Sequence, residues 1–550
     1  MKKIVFISDY FLDEIIGGAE LCNEALMQNY LNINFQVQKI KSINVNLEFL
    51  SNKKEYFFII ANYMQLSESV KNTLSQQNYK YVIYEHDHKY LKCNNPALFK
   101  NYLANEEQIQ NLYFCKKAIA VLCQSKLHAQ IMFKNTLLKN IINLSGNIWS
   151  KEHLNILKNN IKSEDKKTID NVIYNSKNQN KGTIQTIEYC RKNNIEFSFL
   201  ENSNYENFIN QLSNCKKLIF FPTWIETFNR LAIEAKILNC KIKTNNYLGC
   251  ASEGLLNFNG IELLEKIENQ MKNIYNIFNN LIENKINLIN FYVEELPRVT
   301  IMCTFVDGEK YIEQYLQEIV KQTIFDEIDL FIVDSNSVGK EKEIVSKYVA
   351  KYNNINYIRI NKQITIPSAF NLVISKTTNN IISMIQVDDR PAPNYCEILR
   401  KHLVYSSDID LVYGDCLQTE KPNETYINNS SRSLYEHSLL PFTKENMIKC
   451  LPGPMPMFKK EMLEKNGNFN ENLIYANDWE LWLRCVRNGS KFKKINSIIG
   501  LYYFNPNGKS TSVKNTQEKL KEEKIIFNEY IDIIGEKNYY TYKDYFNREV

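Results

Sequence analysis

Two adjacent carboxylates, Asp388 and Asp389, follow the largely apolar run 381–385 (IISMI) in the segment 386–393 (QVDDRPAP). The run reads as a buried strand, and Pro391 and Pro393 stop it, so both acids lie at a strand end. Backbone geometry there sends neighbouring side chains to different sides, so one can face a metal ion while the other accepts hydrogen bonds. Strand ends of this kind are where parallel α/β sheets bind ligands, although eight such residues alone also describe a solvated acidic turn. Asp334 ends the strand-like run 328–333 in the same way and suits a hydrogen bond to a base. Asp478 opens the segment 477–489 (NDWELWLRCVRNG), in which Leu481, Leu483 and Val486 with Trp479 and Trp482 give the apolar positions of an amphipathic helix. At that position an aspartate either caps the helix or serves as a base.

The first half of the chain carries its own candidates. Gly17 and Gly18 open a helical pattern (GGAELCNEAL), where backbone can approach a phosphate and free N–H groups favour an anion. The strand-like run 81–84 ends in His86 and His88, which alternate and could share a face. No third ligand accompanies them, so a polar strand end beside a cleft is the better reading than zinc. Ala118 to Leu122 followed by Gln124 and Ser125 repeats the pattern of strand and polar tip, and Lys181 and Gly182 precede another helical pattern. In residues 218–246, Glu226 lies in a loop and Glu234 eight positions later, in a helix beginning near Phe228. Such a pair can bond sugar hydroxyls while the helix N–H groups face phosphate; a capping carboxylate plus a surface glutamate is the plainer alternative.

The elements that must position these groups follow from length and pattern. At 550 residues the chain exceeds one core, and about one domain per ~150 residues implies several. Periodicity places domains at 1–150, 151–290 and 298–550, joined by a linker at 291–297. From residue 298 onward strands and helices alternate regularly, which implies a mostly parallel sheet covered by helices. Residues 453–458 (GPMPMF) read as a rigid loop and 500–512 as an active-site loop. A net charge of +5 without a Lys/Arg stripe argues against nucleic acid and permits contact with an anionic membrane surface. Thirteen scattered cysteines without a CxxC pair read as reduced thiols in a cytoplasmic protein. The N-terminus enters a strand pattern without a signal-peptide core, and the apolar runs fall short of the ~20 residues of a membrane span, so membrane association is expected to be peripheral at the inner face.

The GGAE sequence, Lys181 with Gly182, and Glu226-x7-Glu234 followed by Ala235 resemble a family 4 glycosyltransferase of the GT-B fold, over roughly residues 1–285. The resemblance implies two Rossmann-like domains around a nucleotide-sugar and retaining transfer without a metal. It assigns Glu226 and His86 to the donor sugar, Glu234 to the ribose, Lys181 to the pyrophosphate, and Gly17 and Gly18 to the phosphate side. Two positions depart from it: Asn175 and Ser176 stand where the family carries an arginine, and Asn229 replaces a glycine. The sequences VTIMCTFVDGEKYIEQYLQEIVKQT, FIVDSNS, QVDDRPAP, GPMPMF and DWELWLR resemble a family 2 glycosyltransferase of the GT-A fold over about residues 298–512. That resemblance implies inverting transfer with Mg²⁺ or Mn²⁺ on Asp389. Asp388 would bond the donor, Asp334 the base of a UDP-sugar, and Asp478 would take the acceptor proton beside a wall of Trp479 and Trp482. Gln386 replaces the first acid of the usual Asp-x-Asp, and no histidine follows Asn488.

The expectation is an α/β enzyme of two parts, a GT-B-like pair of domains followed by a GT-A domain. It would move sugars from nucleotide-sugars to a growing surface glycan or lipid-linked glycan acceptor. Two rivals stand beside it: one active GT-A transferase with a non-catalytic GT-B-like docking module, and a glycan- or nucleotide-binding scaffold without turnover.

Overall fold

The computed structural model describes residues 2–201, 203–509 and 511–547. The chain divides into two compact units, residues 1–104 with 108–294 and residues 105–107 with 295–550.

The first unit holds two parallel sheets. Strands β1 (Lys3–Ser8), β2 (Gln36–Lys41), β3 (Phe57–Ile60), β4 (Lys80–Tyr84), β5 (Val121–Cys123) and β6 (Ile141–Asn143) form one in the order β2-β1-β3-β4-β5-β6. Strands β7 (Ile169–Tyr174), β8 (Ser198–Leu200), β9 (Cys215–Phe220) and β10 (Lys241–Thr244) form the other in the order β10-β9-β7-β8. Near-continuous apolar strands such as Phe57–Ile60, buried throughout, are what a sheet covered on both faces requires. The chain changes direction across each sheet beside its first strand, between β1 and β3 and between β7 and β9, and such switch points open crevices at the carboxyl ends of the strands. The helix Gly260–Ile282, the last α-helix of the unit, buries Leu263, Ile267, Ile274, Phe278 and Leu281 on one face.

The second unit is built on strands β11 (Val299–Phe305), β12 (Ile328–Ser335), β13 (Ile355–Ile360), β14 (Ile381–Met384), β15 (Arg390–Pro391), β16 (Leu411–Thr419), β17 (Ser433–Leu434), β18 (Met457–Lys459) and β19 (Phe492–Tyr503). The order is β13-β12-β11-β14-β18-β16-β19-β15, with β17 on β16. The first four strands are parallel, as the alternation predicts. β18 then pairs antiparallel with β14 and β16, so the sheet as a whole is mixed. The helices Thr516–Glu529 and Glu536–Asn547 follow β19.

Several boundaries differ from the sequence reading. The strand expected at 118–122 is β5, Val121–Cys123, and the helix expected near Phe228 begins at Arg230, because Asn229 takes a positive φ of 81° and caps it through a bond from Ala232 N. The GPMPMF loop gives up Met457 and Phe458 to β18, and the loop expected at 500–512 yields its first residues to β19. Pairing with neighbouring strands, which local pattern does not report, decides both cases.

Gly182 sits at φ +65°, and a Cβ there would lie 1.8 Å from Phe221 O. Gly182→Ala is therefore expected to cost the first unit more than ~1 kcal/mol and lower its thermal transition. An unshifted melting curve would show that the segment around Lys181 relaxes freely.

Candidate functional sites in the two units

In the second unit, β14 delivers Asp388 and Asp389 to the carboxyl edge of the sheet, next to β11. Asp389 is 3% exposed, and its Oδ1 accepts from Tyr503 N at 3.3 Å. Burial, and then the charge of Asp388, pushes its carboxyl well above the usual range. Asp388 Oδ2 accepts from Asn505 Nδ2 at 3.0 Å. Arg390 holds the turn from behind, donating to the carbonyls of Val387 and Asp389 and to Asn423 Oδ1. Among the described residues neither acid has an ion-pair partner, and the charge of the adjacent Arg390, whose nitrogens go to carbonyls and Asn423, offsets the burial of Asp389 only in part. The acid pair is a donor set suited to a hard divalent cation.

Asp478 begins the helix Asn477–Arg487 and lines a cavity of about 580 Å³ with Trp479, Tyr475, Cys450, Tyr502 and Phe504. Its Oδ1 accepts from Trp479 N at 2.9 Å, while Cys450 Sγ approaches Oδ2 at 3.5 Å. Burial raises its pKa. The backbone leading into this helix is fixed by Glu522, which accepts from the N–H groups of Ile474, Tyr475 and Ala476. The acid pair and Asp478 do not line the same cavity, but the end of β19 runs between them. Tyr503 N and Asn505 hold the pair, Tyr502 and Phe504 line the cavity, and burial followed by the charges of Asp389, Asp388 and Asp478 pushes the Tyr502 phenol up.

Two expected roles change. Asp334 is fully buried: Oδ1 accepts from Ser337 N, and Oδ2 from Tyr357 and from Arg359 Nη1 at 2.7 Å, so both oxygens are bonded within the unit and the carboxylate orients Arg359 and Tyr357. Trp482 is also fully buried, its ring against Phe458, Phe469 and Phe492, and it forms core instead of a sugar wall. Trp479 does line the cavity, with Nε1 donating to Met447 O.

In the first unit, Gly17, Gly18, His86, Lys181, Glu226 and Glu234 all line one cleft of about 650 Å³. Lys181 Nζ lies 2.8 and 3.0 Å from the two oxygens of Glu226; burial pulls its pKa down, but Glu226 holds it above the ordinary lysine value. Glu234 Oε1 accepts from Trp149 Nε1 at 2.9 Å and Tyr205 OH at 3.0 Å. His86 bonds Asn23 and Gln124, and burial lowers its pKa to about 3, so it is neutral. His88 turns instead toward Tyr90 and His128, and among the described residues no group of three or more His, Cys, Asp or Glu side chains could hold a metal. Asn175 Nδ2 donates to both oxygens of Glu201, so a neutral amide stands at that departure from the family pattern. The sequence reading missed Arg230, which borders the cleft; its signal was its position directly after Asn229.

Comparison with known proteins gives the class. Residues 300–467 match the family model described as glycosyl transferase family 2. An uncharacterized glycosyltransferase of Methanocaldococcus jannaschii is 25% identical over 234 residues, 41% of this chain and 74% of that protein. Another, of Rickettsia typhi, is 26% identical over 205 residues, and the match covers 36% of this chain and 61% of the relative. Among solved structures, a mannosyltransferase from Pyrobaculum calidifontis in complex with GDP-Man and Mn2+ is 17% identical with a TM-score of 0.35, covering 43% of this chain and 65% of that one. S. aureus TarS 1-349 in complex with UDP-GlcNAc is 15% identical with a TM-score of 0.36, covering 44% and 69%. The chain is a glycosyltransferase, and its second unit carries a domain of the family 2 type. Among the described residues no helix is long and apolar enough to cross a membrane.

Because Trp482 is core, Trp482→Ala is expected to cost ~3–5 kcal/mol in denaturant unfolding, with activity of the remaining folded fraction retained. A folded variant that loses sugar transfer while keeping its stability would return Trp482 to the site.

Proposed function

We propose that the second unit transfers a sugar with inversion from a nucleotide-sugar, a UDP-sugar by the family resemblance, to a hydroxyl of a growing surface glycan or lipid-linked glycan. The observation that carries this reading is the end of β19, which links the unpaired acids Asp388 and Asp389 to Asp478 through adjacent residues. Asp389, with Asp388 beside it, would hold Mg²⁺ or Mn²⁺. Such a cation, when bound, supplies Lewis-acid neutralisation of the leaving diphosphate. Asp388 and Asn505 orient the donor, Arg359 and Tyr357 present the base-binding edge from behind Asp334, and Trp479 walls the acceptor. Asp478 accepts the acceptor's proton at Oδ2, the oxygen facing the Cys450 thiol.

EDTA is expected to abolish nucleoside-diphosphate release by this unit in the full chain, with Mg²⁺ or Mn²⁺ restoring it. Asp389→Asn should lower it by orders of magnitude at saturating donor; release unaffected by both treatments would sink the metal assignment. A base must be ionised, and the Asp478 carboxyl is raised by burial. Transfer should therefore fall as pH drops through a value above the ordinary carboxylate range, and Asp478→Asn should cost about 10²–10⁴-fold in kcat. An acid limb at the ordinary carboxylate position, or an active Asp478→Asn, would assign the base elsewhere.

We infer a second nucleotide-sugar site in the first unit, supported by the six predicted residues that line a common cleft. The reading is retaining transfer without a metal, with Glu226 and His86 at the sugar and Glu234 at the ribose. Against turnover there stand the Lys181–Glu226 pair and the Asn229 cap, which favour a binding module in its place. EDTA-resistant diphosphate release that Glu226→Ala removes would establish the transferase; nucleotide binding without release would establish the module.

A further inference from the structure

The helices Thr516–Glu529 and Glu536–Asn547 lie beyond the matched residues 300–467, yet both reach the cavity of Asp478. Thr516, Lys519, Leu520 and Glu523 line it from the first helix, at the i, i+3, i+4 and i+7 positions of one face. Tyr542 and Tyr545 line it from the second, again at i and i+3. These helices are tied to the rest of the unit. Ile526, Phe527, Ile533 and Ile534 join the core that holds Trp482, Arg487 Nε donates to Asp532 at 3.0 Å, and Asn538 Nδ2 donates to Glu445 O at 2.7 Å. Glu522, on the helix that carries Lys519 and Glu523, also holds the backbone in front of Asp478. The wall and the proposed base therefore share one anchor.

The surface of that wall is chemically specific. Phe504 and Tyr545 line the cavity while 41% and 46% exposed, so two large rings stand on its wall and not in the core. The electron-rich face of such a ring attracts the polarised C–H groups of a sugar. Beside them Lys519 Nζ stands 3.7 Å from Glu523 Oε1, and Lys449 Nζ 3.8 Å from Glu436 Oε1. Burial raises the Glu523 carboxyl, and the charge of Lys519 opposes the rise. A lysine beside a glutamate offers both donors and acceptors to neighbouring hydroxyls. It offers little to an anion. Each of these lysines is next to an acid, burial lowers the pKa of His437, and Asp478 adds a further acid to the wall.

We propose that these two helices form the acceptor subsite of the second unit, with Tyr545 stacking on the acceptor sugar and Lys519 and Glu523 bonding its hydroxyls. The acceptor class is an uncharged sugar at the end of the glycan, because a terminus bearing phosphate or carboxylate meets the acids around Asp478. The proposal rests on reading Asp478 as the base of sugar transfer.

The full chain with Mn²⁺ is given UDP-glucose, UDP-galactose, UDP-N-acetylglucosamine and GDP-mannose in turn. The acceptor probes are the methyl glycosides of glucose, galactose, mannose and N-acetylglucosamine, with methyl glucuronide and glycerol phosphate as anionic probes. Diphosphate release and the mass of each probe are followed. The expected result is saturable transfer to at least one uncharged glycoside and about tenfold less, or lower still, to the anionic probes. Tyr545→Ala should raise the KM for that glycoside about tenfold, and Lys519→Met and Glu523→Gln about tenfold to a hundredfold, with the donor KM kept. Tyr540→Ala, on the same helix, 64% exposed and not lining the cavity, should leave both KM values in place and separates a lost contact from a loosened helix. Acceptor KM unchanged in Tyr545→Ala or, if that variant does not fold, in Glu523→Gln overturns the subsite while the transferase reading stands. An equal rise in Tyr540→Ala does the same. Transfer that prefers an anionic probe, or diphosphate release without transfer to any uncharged glycoside, overturns the acceptor class. No diphosphate release from any donor overturns the reading of Asp478 as well.

Discussion

Burying a carboxylate is expensive unless donors or a cation surround it, and the second unit is arranged around that constraint at Asp389. One side of the carboxyl is met by Tyr503 N, a backbone donor that exists there because β19 runs beside β15. β19 in turn lies parallel to β16, which reaches β14 through the antiparallel β18. The mixed half of the sheet therefore brings a late strand back to the acids at the end of β14. The same strand end presents Tyr502 and Phe504 to the cavity of Asp478. One strand thus sets the separation between the acid pair and the remaining acid.

The Asp478 helix shows how positioning is shared. Its start accepts no side-chain cap; instead Glu522, 46 to 48 positions further along the chain, collects the three N–H groups that precede it. The helices after β19 are thereby part of what fixes the proposed base, although they lie beyond the matched residues 300–467. In the first unit the same physics works on a cation. Arg230 is held by a carbonyl, a thiol, an aromatic face and an ion pair with Glu234 at 3.5 Å. The positive φ of Asn229 turns the chain so that its amide caps the helix while Arg230 enters the interior.

Much of this was legible in the residues. The alternation after residue 298 gave the four parallel strands, and strand-end acids at Asp388 and Asp389 stand where the apolar run and its prolines put them. The first-unit residues Gly17, His86, Lys181, Glu226 and Glu234 share a cleft. Other features were not. Trp482 sits one helical turn from Trp479 but on the face toward Phe458 and Phe492, and composition does not distinguish an aromatic in a core from one at a ligand. Asp334 ends a strand as predicted, yet Arg359 and Tyr357 on β13 bond its Oδ2 and Ser337 N bonds its Oδ1.

The sequence by itself determined which apolar runs become strands and which charged groups stand near their ends, because those depend on local period, proline and turn chemistry. Only the tertiary structure decided which of those groups meet. Lys181 pairs with Glu226 across 45 positions, Arg230 with Ile148 O across 82, and Asp389 with Tyr503 N across 114. A carboxylate or guanidinium has the same local signature whether its partner is a ligand, a side chain or a backbone amide. The choice among them is made by long-range strand pairing and burial, which no short window of residues records.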